Sequence, residues 1–357
     1  MRFPFAFVLL LVLPAACAGQ AGSPERAGNC LEITLTGTQG GPPAVNGLAG
    51  AGTLIRYGKV ANQCSDVLLQ FDAGRGTTER LSQLGFSPLQ LDAIFLTHVH
   101  SDHTEGLAGL LLYRWHFLGG PVDIICSADV KASDTSPERI LSCRNLVEHS
   151  ADAMLHAGEI SQRHAENNNR NPAGPAALAQ LQSVALPLPD KPGRVVWKRG
   201  DVSVSAIGTT HIAGSLAYRV DTPIGSVVVG GDAGNSKLKP PRQSSTSAKV
   251  EELAIGADVL VHSVIHERFA PGTGSTFPAA VYLRQSNAAD LGSMAERADI
   301  KHLILTHMIP SLDTPAHGPY TIPGRPLGED DFTNAVRKGG FTGEILVGRD
   351  LRSLRLP

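Results

Sequence analysis

Three histidines and an aspartate fall within six positions, His98-Val99-His100-Ser101-Asp102-His103, and a buried strand read over Asp92–Thr97 runs straight into them. Buried polar rings are costly unless each finds a partner. Such a cluster therefore fits the end of a strand, where the chain opens onto a site that holds a cation. In an extended loop His98 and His100 project to the same side, so two imidazoles can meet one ion. Asp102 and His103 fall where the loop turns into a helix, signalled by Leu107, Leu110, Leu111 and Trp115 at helical spacing. They are placed to hold a second ion close by. Neutral imidazole and carboxylate suit Zn²⁺, and also Mn²⁺ or Fe.

Such a site needs further ligands, and three candidates share one pattern, a polar group at a strand's end. They are His211 in "GTTHIAGS", Asp232 in "VVVGGDAGNS" and His307 in "LILTHMIP". Singly each is weak, because a histidine after a strand is usually a hydrogen-bonded structural residue. Together with the cluster they fit one geometry. The glycines beside Asp232 permit the close backbone approach that a crowded site requires.

The rest of the chain alternates short apolar runs with glycine-rich breaks. Strands are read at Leu31–Leu35, 52–57, 67–72, Val202–Ile207, Val259–His262 and His302–His307, with a hairpin of 216–220 and 225–230. Helices are read at Thr78–Leu84 and Asn287–Ala298. Strands, then a helix, then the same again, suggest two halves whose sheets pack face to face. Residues 134–195 differ, with an asparagine run and a proline-rich stretch, and read as an inserted segment with helical pieces. His149, His156 and His164 within it read as exposed polar residues.

Residues 1–18 read as a signal peptide: Met1-Arg2, an apolar run from Phe3 to Leu13, then small residues ending at Ala18. This leaves residues 19–357 as one expected domain, periplasmic or secreted. Membrane attachment would require lipid on Cys17, and Pro14 makes a poor lipoprotein match. Export would leave Cys30, Cys64, Cys126 and Cys143, an even number in an oxidising compartment. Three pairings are open. Cys126–Cys143 closes the shorter loop and is the first expectation, with Cys30–Cys64 its complement. A formal charge of -2 and only 5% aromatic residues argue against nucleic-acid binding.

The His98–His103 cluster, a distant His211, Asp232 after a small-residue strand end, and His307 after "LILT" together resemble the metallo-β-lactamase superfamily. The likeness is to the branch with ribonuclease Z, the arylsulfatases and the class II cyclic-nucleotide phosphodiesterases. "ITLTGTQGGPP" resembles its opening strand and glycine loop, and "FTGEILVGRDLRSLRL" its closing strands. The resemblance implies an α/β fold, a four-layer αββα sandwich of two mixed sheets packed face to face with helices outside. It implies two metal ions, zinc first: His98, His100 and His211 on one, Asp102, His103 and His307 on the other, Asp232 bridging. A hydroxide between ions about 3.5–4 Å apart would attack the ester, with Asp102 able to orient it. The implied activity is hydrolysis of a small phosphodiester or sulfate ester. A lactone or β-lactam ring is the alternative substrate, a non-catalytic binding protein the second alternative, and a homodimer is possible by analogy.

The chain also departs from ribonuclease Z. After the strand near 258–262 it reads His262-Ser263-Val264-Ile265-His266, without the acidic residue found there, and Gln285-Ser286-Asn287 stands where His-Ser-Thr is usual. No long basic arm is evident. Transfer RNA processing is therefore not expected, and the partner is read as a small-molecule ester, with no nucleic acid. His266, beside a flexible Pro271-Gly272-Thr273-Gly274, is the candidate to replace the missing catalytic histidine. His262 is a structural or catalytic candidate, and Arg284 could hold an anionic group.

Overall fold

The computed structural model describes residues 28–133, 136–185, 194–239 and 241–357. The expected signal peptide and Cys17 lie outside them. Among the described residues no helix is long and apolar enough to cross a membrane.

The strands are β1 (Asn29–Gly37), β2 (Gly52–Lys59), β3 (Val67–Phe71), β4 (Ala93–Phe95), β5 (Val122–Ser127), β6 (Val130–Ser133), β7 (Ser136–Leu141), β8 (Ala179–Val184), β9 (Arg194–Arg199), β10 (Val202–Gly208), β11 (Leu216–Asp221), β12 (Ser226–Val229), β13 (Val259–Ile265), β14 (His302–Ile309), β15 (Ala316–His317), β16 (Tyr320–Thr321), β17 (Glu344–Val347) and β18 (Ser353–Leu356). One large sheet has the order β18-β1-β2-β3-β4-β5-β8 and the other β17-β14-β13-β12-β11-β10-β9. Both are mixed: β1, β2 and β3 pair antiparallel and β3, β4 and β5 parallel. In the second sheet β10, β11 and β12 pair antiparallel and β12, β13 and β14 parallel.

Period-two alternation sorts the side chains into layers. Val67, Leu69 and Phe71 of β3 and Val227 and Val229 of β12 point into the core between the sheets. Their neighbours turn outward: Leu68 meets Leu107, Leu110 and Leu111 of the helix Leu107–His116. Val228 joins Val250, Leu291 and Phe332 from the helices Ala248–Ala254, Ala288–Arg297 and Glu329–Lys338. Each large sheet thus has helices on its outer face, the four-layer αββα sandwich that the resemblance implies.

The predicted helix 287–298 is found at Ala288–Arg297, with the Asn287 side chain accepting from Asp290 N at 2.8 Å. Segment 134–195 departs from the expectation of helical pieces alone. Among the described residues it holds the α-helices Cys143–His149, Asp152–His156 and Glu159–Glu166 and the 3-10 helix Pro175–Leu178. But Ala179-Gln180-Leu181-Gln182-Ser183-Val184 forms β8, parallel to β5. Its alternation puts Ala179 and Leu181 against the outer helices, the strand's period rather than a helix's. Both expected disulfides are formed, Cys30–Cys64 and Cys126–Cys143.

Cross-sheet hydrogen bonds position the histidine loop. Tyr218 of β11 donates its hydroxyl to Leu96 O at 2.7 Å, and Leu216 N donates to Thr97 O at 2.8 Å. The loop that follows β4 in the first sheet is therefore held by the second.

Candidate metal centre

All seven expected ligands converge at one end of the two sheets. His98 follows β4, His211 lies between β10 and β11, Asp232 follows β12, and His307 lies within β14. This is the carboxyl end of parallel strands, where side chains leave the sheet toward an open crevice. Their ligand atoms form three overlapping groups, each within 4.8 Å: His98, His100 and His211; His98, His103 and Asp232; Asp102, His103 and His307.

Within the cluster, His100 Nδ1 lies 3.0 Å from His98 Nε2 and 3.3 Å from His211 Nε2. Across it, His307 Nε2 is 3.0 Å from Asp102 Oδ2 and 3.2 Å from Asp232 Oδ2. His103 Nε2 and Asp232 Oδ1 face each other at 3.5 Å, both buried and without a hydrogen-bond partner. Orphaned buried polar atoms are costly. A cation between them would satisfy both, so this donor set fits a metal ion.

The backbone is shaped to bring these groups close. A Cβ on Gly230 would lie 2.3 Å from His262 Cδ2, and one on Gly74 would lie 2.3 Å from Asp102 O. Only glycine permits either approach. His307 itself has φ 46, in the left-handed region that most side chains avoid.

The cluster floors a cavity of about 450 Å³. Arg284 and Gln285 stand beside the ligands, and Pro43, Phe277, Val281, Ile309 and Tyr320 give it an apolar wall.

Comparison with known proteins accords with this geometry. The family described as Anti-Pycsar protein Apyc1 matches residues 60–133, which include the His98–His103 cluster. A relative named ribonuclease Z, from Mycobacterium marinum, is 27% identical over 330 residues, covering 91% of this chain and 99% of its own. Among solved structures, the metallo-β-lactamase fold protein YhfI from Bacillus subtilis superposes with a TM-score of 0.56 at 19% identity, covering 91% of this chain and 99% of its own. The chain thus shares the metallo-β-lactamase fold, and over nearly all its length it is similar to proteins named ribonuclease Z. One member of the fold, PqqB from Methylobacterium extorquens, is described with Zn²⁺ bound, and superposes with a TM-score of 0.52 at 11% identity over 90% of this chain and 99% of its own.

Within this metallo-β-lactamase fold, the electrostatics of the cluster favour a cation. Burial holds His98 far below the ordinary histidine range and brings His211 down to about 4, so both rings keep free lone pairs at neutral pH. Burial disfavours ionised Asp102, yet the His307 hydrogen bond and the charges of His103 and His307 outweigh it and leave the carboxyl at about 2. Asp232 is likewise held well below the carboxylate range, with burial outweighed by His307 and His103. His103 goes the other way: burial opposes its charge, but Asp72 and Asp232 raise it well above the ordinary value.

Asp72 was not anticipated. It follows β3 with φ 54, and its Oδ2 accepts from His103 Nδ1 at 2.8 Å and from Thr97 Oγ1 at 2.8 Å. Its Oδ1 accepts from Thr97 N at 2.7 Å, and Thr97 Oγ1 lies 3.1 Å from His98 Nδ1. One carboxylate thus braces two imidazoles. The signal for it was in the sequence: Asp72 also ends a strand, in the register of the other site residues. Gln285 also meets the cluster. Its Nε2 donates to Asp232 Oδ2 at 3.4 Å.

The structure does not bring His266 to this cavity. It follows the end of β13, where the chain turns into the short helix Glu267–Phe269, and its Nδ1 accepts from Arg268 N at 3.1 Å. Its ring packs against Phe332, and it lines a separate cavity with Arg268 and Lys338. The expectation that it replaces the missing catalytic histidine is corrected accordingly. His262 is fully buried under Gly230 and donates Nδ1–H to Ser263 O at 2.8 Å, a structural placement. His149 is exposed and pairs with Asp152, and His164 bonds Arg170 O, both outside the site.

Proposed function

We propose that the protein is a dinuclear metal-dependent phosphodiesterase. In this reading His98, His100 and His211 would hold one ion, Asp102, His103 and His307 would hold the other, and Asp232 would contribute to both, with zinc the first candidate and Mn²⁺ or Fe the others. The observation that carries it is the overlap of three ligand groups at the floor of one cavity. Two divalent ions held there supply Lewis acidity and a nucleophilic water for hydrolysing an ester. The chain's own residues do the rest. Asp72, through Thr97 and His103, keeps the imidazoles in one orientation. Asp102, whose Oδ2 lies 3.0 Å from His307 Nε2, would help hold the second ion and could orient the attacking water. Arg284, on the cavity wall, supplies positive charge for an anionic ester, and its field already reaches His100 and His211. Phe277, Val281 and Tyr320 exclude water and give a flat apolar surface for an aryl or base substituent.

The size of the cavity favours a small ester. A ribonuclease is the second reading, favoured by the relatives named ribonuclease Z, and those relatives stand at odds with the expectation that no nucleic acid is bound. A single zinc-loaded preparation assayed on bis-p-nitrophenyl phosphate, p-nitrophenyl sulfate, an acyl-homoserine lactone, nitrocefin and a short RNA separates the readings. Turnover of the phosphodiester supports the proposal, and turnover of only the lactone or nitrocefin overturns it. Export to the periplasm or medium is part of the same proposal and is supported by the two disulfides. Cell fractionation that finds the chain only in the cytoplasm would overturn it.

A further inference from the structure

His317 plays no part in the site as described so far, yet it lines the same cavity as His100, Asp102, His211, Asp232 and His307. It sits on the two-residue strand β15, paired with β16 so that His317 opposes Tyr320, another lining residue. The hairpin straps the apolar side of the cavity. His317 is only 3% exposed, between the rings of Phe269 and Phe277, whose centroids lie 6.2 and 6.0 Å away.

Its two nitrogens have different surroundings. Nδ1 is buried with no partner. Nε2 faces Gly41: a Cβ there would be 3.5 Å away, and Gly41 N donates to His307 Nε2 at 3.1 Å. One peptide thus separates His317 Nε2 from a residue of the ligand cluster. A buried N–H without an acceptor is rarer and costlier than a lone pair without a donor. The proton of the neutral ring therefore belongs on Nε2, toward the cavity.

We infer that His317 is a further catalytic residue of this site, whose Nε2–H donates a hydrogen bond to an oxygen of the scissile ester group of an anionic phosphodiester. The inference rests on the phosphodiesterase reading above. It assigns to the strap hairpin the substrate contact that His266, in its separate cavity, does not make and that Gln285, tied to Asp232, leaves open. The ring acts as a neutral donor, so no proton is transferred and no charge changes on His317. The apolar rings around it strengthen that hydrogen bond by excluding water.

The test uses the full chain loaded with zinc, and compares wild type, His317→Ala and His317→Gln. A glutamine amide can present N–H near the position of Nε2, so it separates a neutral donor from an acid. Expected is a loss of about 10- to 100-fold in kcat/KM on bis-p-nitrophenyl phosphate for the alanine variant, at unchanged metal content, and recovery to within about threefold for glutamine. Unchanged kcat/KM in the alanine variant, or a glutamine variant as slow as alanine, overturns the inference. Two readouts do not need turnover. Nitrogen-15 NMR of the histidine rings should show His317 protonated at Nε2, and a proton on Nδ1 overturns the assignment. Inorganic phosphate should bind wild type about tenfold more tightly than the alanine variant. Equal affinity overturns the inference alone, whereas a wild type that neither turns over an ester nor binds phosphate overturns the phosphodiesterase reading with it.

Discussion

Asp72 Oδ2 lies 2.8 Å from His103 Nδ1, while the other nitrogen of that ring faces Asp102 and Asp232 at 3.6 and 3.5 Å. The carboxylate fixes which nitrogen is free for an ion. Replacing Asp72 by Asn removes the charge and lets the ring reverse its tautomer. Zinc affinity, read by chelator competition, should fall by about 10- to 100-fold. An affinity equal to wild type would show that the brace is irrelevant to ligation.

Asp232 belongs to one ligand group and lies within 3.7 Å of histidines from the other two. Asp232→Ala should lower metal content below that of wild type by elemental analysis, and cut ester hydrolysis by at least about 100-fold. Full turnover in this variant would end the dinuclear reading.

Gly230 lies against His262, where an added Cβ would come within 2.3 Å of Cδ2. Gly230→Ala should destabilise the fold by about 1–3 kcal/mol in urea unfolding, as overpacking does. Adding His262→Ala should restore part of that loss, because the clash is between these two groups. Additive effects in the double variant would deny the contact.

His317 makes stability depend on pH. Burial brings its ring down to about 4, with the charge of His307 adding and that of Asp102 opposing. The unfolded ring titrates near 6.5, so between pH 6.5 and 4 the unfolded chain binds a proton that the fold refuses, and stability falls as pH falls. From the 2.5-unit difference (6.5 minus 4) the loss approaches roughly 3 kcal/mol at pH 4. As pH is lowered from 6.5 to 4, thermal melts of wild type should lose stability relative to His317→Gln, whose side chain does not titrate in this range. A constant difference would contradict the assignment.

The disulfides close loops with sequence separations of 34 and 17 residues. Chain entropy assigns them about 4 and about 3 kcal/mol respectively. A reductant should therefore lower the melting temperature measurably, with Cys→Ser pairs at each bridge reproducing the two parts. An unchanged melt would mean that the bridges do not constrain the unfolded chain.

The parts of this molecule that could be read from sequence were those whose signal is local or periodic. The His98–His103 spacing, the outward and inward alternation of β3 and β12, and the capped helix after Asn287 all reside in short windows. His211, Asp232 and His307 were legible because each ends or interrupts an apolar run at the same sheet edge. Asp72 obeys the same rule, but a lone aspartate before Ala-Gly also reads as a turn. His317 has no such signal at all, because its place is set by a two-residue strand and by Phe269 and Phe277, some forty to fifty residues earlier in the chain. His266 was misplaced because a loop-like sequence does not say which side of a strand's end it leaves from. The strand β8 was missed because glutamines on its solvent side made a two-residue period look like a polar helix.

Tyr218 and Leu216 of one sheet hold the backbone of Leu96 and Thr97 in the other. Four of the seven ligands sit on one side of that junction in sequence and three on the other. Each ligand group draws on both halves, so an ion bound there would report that both halves have come together. A chain severed between Val184 and Arg194 should bind zinc tightly only when the two fragments reassociate, which makes the metal a built-in gauge of assembly.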